Sequence, residues 1–140
     1  MIVAGDTYAY AANTTRREAR RLWTEAPAEA FVAEEAGHIV GTYTLKPVQP
    51  GLGKHIANCG YMTHPEARGR GVGDALCAHS LVTARDRGYT AMQFNFVVAS
   101  NAGAIRLWQR HGFEILGRVP NAFRHRELGL TDVLIMHRTL

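Results

Sequence analysis

Between residues 64 and 85 the chain reads HPEARGRGVGDALCAHSLVTAR, with Gly69, Gly71 and Gly73 interleaved with Arg68 and Arg70 ahead of a helical pattern. No other stretch constrains the fold as much. The residues before it, HIANCGYMT (55–63), form a strand candidate stopped by Pro65. Those after it, Val72, Leu76, Leu81 and Ala84 with Cys77 and Ser80 between them, trace an apolar stripe of helical spacing that ends near Gly88. The pattern predicts a strand, a glycine turn and the central helix of an α/β domain.

The remaining elements fall around this unit. NTTRREARRLW (13–23) opens with Asn and Thr capping candidates and reads as a helix with Arg16, Arg17 and Arg20 on its polar face. FVAEE (31–35), a Gly37-His38 turn and IVGTYTL (39–45) read as a hairpin, and KPVQPGLGK as a Pro/Gly loop. TAMQFNFVV (90–98) is a strand and SNAGAIRLWQRHG (100–112) a second helix, capped by Ser100 or Asn101 and ended by Gly112. FEILGRV (113–119) and DVLIMHRTL (132–140) close the chain as two strands around a polar loop. This order predicts a mixed sheet flanked by helices in one domain spanning 1–140.

Composition narrows the function. No run approaches the roughly 20 apolar residues of a membrane span, and the opening MIVAGDTYAYAAN lacks a signal-peptide pattern, so a cytoplasmic protein is expected. Cys59 and Cys77 form neither a CxxC motif nor a Cys/His cluster, which argues against a metal site or disulfide framework. A net charge of +4 suits an anionic partner. The arginines are scattered and no nucleic-acid motif is present, so a phosphorylated cofactor is the better expectation.

Glycines let backbone N–H groups turn inward without a Cβ in the way, and the start of the following helix adds unpaired N–H groups and a positive dipole end. That combination binds phosphate, and Arg68 and Arg70 add positive charge at its rim. A P-loop would need Gly-Lys-Ser/Thr, and the dinucleotide fingerprint would need Gly or Ala where Asp74 stands. The alternative is a surface turn that uses glycine only for flexibility.

Arg68-x-x-Gly71-x-Gly73, followed by Asn101-x-x-Ala104 and by Leu107-Trp108-x-x-x-Gly112-Phe113, resembles the GNAT superfamily of acetyl-CoA-dependent N-acetyltransferases over about residues 30–140. The resemblance implies that Arg68, Gly69, Arg70, Gly71, Val72, Gly73 and Asp74 hold the pyrophosphate of coenzyme A. It implies that strand 55–63 splays from its neighbour, so that Tyr61, Met62 and Thr63 pair with the pantetheine arm and offer N–H groups to the thioester oxygen. Such preorganised donors act where charge develops during acyl transfer. Asn101 and Ala104 match the end of the pantetheine site, although Asn101 equally suits a helix cap.

Two departures stand out. Many members have Tyr where this chain has Trp108, whose indole cannot protonate a leaving thiolate; Trp108 is expected to pack on the cofactor arm or fill the core. The family's first strand is expected to be missing or truncated, leaving residues 31–35 as a bare edge suited to a homodimer. Candidates for the general base are His64, His55, Glu34, Glu35 and Glu66, none singled out by spacing, and His64 suits a role in shaping its turn.

Asn95 lies between two phenylalanines in a central strand, where alternation puts Gln93, Asn95 and Val97 on one face, and it is expected to point into the acceptor cleft, the alternative being a satisfied core network. The run QFNFVVASNAGAIRLWQRHGF (93–113), with VPNAFRHRELGLTDVLIM (119–136) after it, also resembles the branch that acetylates small amino-acid-like compounds, including a cyclic imino-acid acetyltransferase of fungi. That likeness implies Asn95 holds the acceptor; Arg124 and His125, in the loop between the last two strands, could meet its carboxylate, although either residue taken singly better suits a solvated basic loop. The expected function is direct transfer of acetyl from acetyl-CoA to a small amine. A non-catalytic acyl-CoA-binding module and a protein N-acetyltransferase are the alternatives.

Overall fold

A computed structural model describes residues 6–140. Helix α1 (Arg16–Thr24) precedes a hairpin of β1 (Glu29–Glu35) and β2 (His38–Pro47), and then β3 (Ile56–Thr63) leads through a short 3-10 turn into α2 (Val72–Asp86). β4 (Ala91–Val98), α3 (Ala102–Arg110), β5 (Glu114–His125) and β6 (Gly129–Thr139) complete the chain. Six strands form one sheet in the order β1-β2-β3-β4-β6-β5. All neighbours are antiparallel except β3 and β4, which run parallel.

Each sheet face is set by strand alternation. Tyr43 and Leu45 of β2, Ala57 and Cys59 of β3 and Met92 and Phe94 of β4 turn to the side covered by α2 and join Leu76, Cys77, Leu81 and Ala84 in one buried cluster. The apolar stripe expected on α2 is the face it buries. α1 is a surface helix without fully buried residues, so its ends matter more than its interior. A capping box secures its start: the Glu18 N–H donates to Thr15 Oγ1 (3.2 Å) and the Thr15 N–H donates to Glu18 Oε2 (2.8 Å). It is tied to the opposite sheet face by Trp23, whose indole N–H donates to Thr42 Oγ1 (3.0 Å) and whose carbonyl accepts from Thr44 Oγ1 (3.0 Å).

Two expectations are corrected. Residues 120–131 are not a polar loop: β5 runs on to His125 and β6 begins at Gly129, so Arg124 and His125 end a strand. Pro120 signals a loop in sequence but is tolerated here because β5 is an outer strand and its register shifts between Val119 and Phe123. Asn121 sits there at φ 53, with its N–H donating to Asp132 Oδ1 (3.0 Å), and Phe123 is buried beyond it. In β4, Val97 does not share a face with Gln93 and Asn95. The register against β6 shifts between Phe94 and Val97, so Asn95 and Phe96 are both exposed while Val97 rejoins Phe94 in the core.

β1 forms one edge of the sheet, and no strand precedes α1 among the described residues. No helix there is long and apolar enough to cross a membrane, and no group of His, Cys, Asp or Glu among those residues is arranged to hold a metal.

Candidate active site

The site begins where a ladder stops. β3 and β4 pair only at Ile56↔Ala91 and Ala57↔Met92, after which the two parallel strands part. Ile56 accepts at its carbonyl from the Val48 N–H (2.8 Å) and the His64 N–H donates to Val40 O (2.8 Å), so even-numbered residues of β3 turn their main-chain groups toward β2. The main-chain groups of Cys59, Tyr61 and Thr63 therefore turn toward the gap, where no strand meets them. The Tyr61 carbonyl shows the direction, accepting from Tyr8 Oη at 2.7 Å.

At the wide end of the gap stands the start of α2. Its N-cap is Gly71, at φ 81 with no side-chain cap, and nothing lies within 4 Å of where a Cβ would be. The first helical bond runs from the Ala75 N–H to Gly71 O (3.0 Å), so the first-turn N–H groups before it remain without intrahelical partners. Asp74 would crowd an anion there, but its carboxylate is drawn aside to His111 Nε2 (3.0 Å) and Arg110 (3.4 Å) on the α3 side. The His111 hydrogen bond, followed by Arg110, holds the Asp74 carboxyl below the usual carboxylate range. Arg68 has no ion-pair partner among the described residues, whereas Arg70 pairs with Glu35.

A cleft of about 820 Å³ joins these parts, lined by Tyr61, Thr63, Arg68, Gly69, Gly71, Val72, Gly73, Asn95, Asn101, Ala104 and Trp108. Eleven expected site residues thus meet in one place. Asn101 caps α3 by accepting from the Ala104 N–H (3.3 Å), which leaves its amide N–H groups for the cleft. Trp108 is 8% exposed, its ring centroid 4.7 Å from that of Tyr61 and 5.1 Å from that of Phe94, so it is both core and wall. The Tyr61 phenol is buried against Ser80 Oγ (2.7 Å), and burial pushes it well above its ordinary range. Any chemistry at Tyr61 therefore belongs to its main chain.

Residues 4–113 match the family model described as Acetyltransferase (GNAT) family. The chain belongs to the GNAT acetyltransferase family. A GCN5-related N-acetyltransferase from Kribbella flavida is 41% identical with a TM-score of 0.94, covering 99% of this chain and 85% of that one. A putative acetyltransferase, yncA from Salmonella typhimurium, solved with its cofactor acetyl-CoA, is 26% identical with a TM-score of 0.73, covering 88% of this chain and 69% of that one. Among curated proteins, N-acetyltransferase aca1 of Schizosaccharomyces pombe is 36% identical over 86 residues, 61% of this chain and 41% of that protein. The matches to curated relatives span less than half of those relatives' length.

The GNAT fold uses acetyl-CoA, and the residues present fit it. The uncapped, glycine-led helix start with Arg68 beside it suits the pyrophosphate, and the unpaired edge of β3 suits the amide-bearing arm.

Five expected residues stand apart from the cleft. Met62 belongs to a smaller apolar cavity with Trp23 and Thr42, Arg70 is paired, and Asp74 turns to α3. His125 caps the β5–β6 turn by accepting at Nδ1 from the N–H groups of Glu127 (3.1 Å) and Leu128 (3.2 Å), with Arg124 exposed beside it. None of His64, His55, Glu34, Glu35 and Glu66 lines the cleft. His64 instead accepts at Nδ1 from the Glu66 N–H (3.4 Å), in keeping with the turn-shaping role.

Other lining residues carry no sequence motif. Asp6, Tyr8, Trp23, Lys46 and Asn58 build the far end of the cleft from four separate segments. Tyr8 and Trp23 cover Gly60 so closely that a Cβ there would lie 3.3 Å from Tyr8 Oη and 3.2 Å from Trp23 Cη2. Burial raises the Tyr8 phenol, keeping it a hydrogen-bond donor at neutral pH. Only the alternating aromatics of TYAYA hinted at this wall.

Proposed function

We propose that this GNAT chain transfers an acetyl group from acetyl-CoA to the amine of a small, amino-acid-like acceptor by direct attack. The observation that carries the reading is the early end of the β3–β4 ladder beside the uncapped start of α2. Acetyl-CoA supplies the activated acetyl thioester. The N–H groups of Val72, Gly73 and Asp74 and the Arg68 guanidinium hold its phosphates, while the free edge of β3 at Cys59, Tyr61 and Thr63 orients its arm. The Tyr61 N–H on that edge is the donor proposed for the thioester oxygen.

Cys59 and Cys77 are free and buried, and burial pushes each thiol up to about 12, which suits neither to carrying the acetyl group. The same free thiols suit a reducing, cytoplasmic setting. Asp6 is the carboxylate lining the cleft among the described residues, and it is the base of the proposal, taking a proton from the acceptor ammonium. Asn95, turned outward by the bulge, contacts the acceptor. The bare β1 edge, with Val32 58% exposed, supports a homodimer, which light scattering reads directly.

The test is thiol release from acetyl-CoA with a panel of amino acids, imino acids, polyamines and peptides. Turnover with amino or imino acids is expected. Preference for peptides would favour protein N-acetylation, and acetyl-CoA binding without turnover on any amine would favour a binding module.

A further inference from the structure

Lys46 and Asn58 are register partners in the β2–β3 ladder, so they project from the same sheet face, the one on which Thr44 and Thr42 meet Trp23. Both line the cleft together with Asn95. Gln93 ties Asn58 to Asn95 where the strands begin to part, the first through its main-chain carbonyl and the second through its side chain. Asn58 Nδ2 donates to Gln93 O (2.9 Å), and Gln93 Nε2 donates to Asn95 Oδ1 (2.7 Å). The bond from Gln93 holds Asn95 by its oxygen and leaves its N–H groups available to donate.

Lys46 is the group this arrangement leaves without an answer. It is half-buried in the cleft wall, and among the described residues no carboxylate lies within 4.0 Å of its ammonium and no acceptor hydrogen-bonds to it. A partly desolvated charge is costly without a counter-charge. The phosphate cradle does not supply one: Asn58, beside Lys46, precedes Thr63 at the wide end of the gap by five residues, about 17 Å along an extended strand. Arg124 and His125, the sequence candidates for an acceptor carboxylate, lie outside the cleft.

We propose that Lys46 anchors a compact anionic group, a carboxylate or a phosphonate, on the acceptor amine, with the Asn95 amide donating a second hydrogen bond to it. This rests on the reading of the cleft as an acetyl-transfer site. Asp6, in the same cleft and outside ion-pair distance of Lys46, gives the acceptor's ammonium a separate partner, so the site selects a zwitterion.

The test uses matched acceptors that share one amine: the amino acid, its phosphonate analogue, its primary amide and its methyl ester. kcat/KM is measured for wild type, Lys46→Met, Lys46→Glu and Lys46→Arg. Calorimetric titration of each acceptor into CoA-saturated protein runs in parallel. Wild type is expected to favour the acids over the amide by about tenfold or more, as suits a charge-assisted hydrogen bond. The ratio should fall to near one in Lys46→Met, invert in Lys46→Glu and recover in Lys46→Arg. Wild type without that preference, or Lys46→Met retaining it in both turnover and titration, overturns the proposal. Equal turnover of charged and neutral amines would sink the Lys46 subsite while acetyl transfer stands. Lys46-dependent binding of the acid with no turnover would sink acetyl transfer while the subsite stands, and a Lys46→Met protein that unfolds is judged by Lys46→Arg and Lys46→Glu.

Discussion

The two ends of the cleft are built in different ways. The end proposed for the cofactor is mostly main chain: a ladder that stops after Ala57 and Met92, a glycine at φ 81 and a helix start without a cap. The end proposed for the acceptor is mostly side chain, assembled from Asp6, Tyr8, Trp23, Lys46, Asn58 and Asn95 by the way the N-terminal segment, α1 and two strands come together. Main-chain sites depend on backbone conformation and tolerate side-chain change, whereas side-chain sites can be re-specified one residue at a time. Evolution of acceptor choice on a fixed cofactor frame is the behaviour this division predicts.

Substitutions can break or sharpen the contrast. The largest effect is expected from Trp108, which joins the cofactor wall to the core. Trp108→Ala should cost about 3–5 kcal/mol in denaturant unfolding, and Trp108→Phe should recover much of it. Gly71→Glu comes next: a side chain at positive φ is strained, and a carboxylate at the start of α2 satisfies the positive dipole end itself and repels the phosphate, so acetyl-CoA affinity in calorimetry should fall at least about 100-fold. The fold should survive, since nothing stands within 4 Å of the new Cβ. Asn95→Ala should raise the acceptor KM about three- to tenfold, the scale of one hydrogen bond, and leave acetyl-CoA affinity unchanged.

The smallest effect concerns Asp74. Its carboxyl is held below the usual range in the folded chain, first by His111 and then by Arg110. Its stabilising contribution is therefore full above the unfolded carboxylate range near pH 4 and is lost as pH falls through the lower folded value. Melting temperature followed from pH 7 down to pH 3 should drop less steeply in Asp74→Asn than in wild type, and the difference should be small because the group is half exposed.

The same contrast explains what the sequence disclosed. Gly71 followed by a helical stripe has few backbone solutions, and Asn101 could be placed as both cap and cleft residue because helix ends carry local signals. The splay itself was legible only through family likeness, since nothing in HIANCGYMT says where pairing ends. Val97 departs from simple alternation because a bulge shifts the period of two by one residue without a composition cue. Pro120 reads as a loop in sequence because its cost in a strand depends on whether that strand is an edge, which is a property of topology. Lys46 carries no such signal, unlike Arg124 and His125, because cleft membership on the acceptor side comes from tertiary register: Lys46 faces the cleft through its pairing with Asn58.

The most direct test of the two-ended site is initial-rate kinetics with acetyl-CoA and the preferred acceptor varied together, in wild type, Gly71→Glu and Asn95→Ala. The account predicts that Gly71→Glu raises the KM for acetyl-CoA with little change for the acceptor, and that Asn95→Ala does the reverse. Both variants raising the same KM, or Gly71→Glu leaving the acetyl-CoA dependence intact, would contradict it.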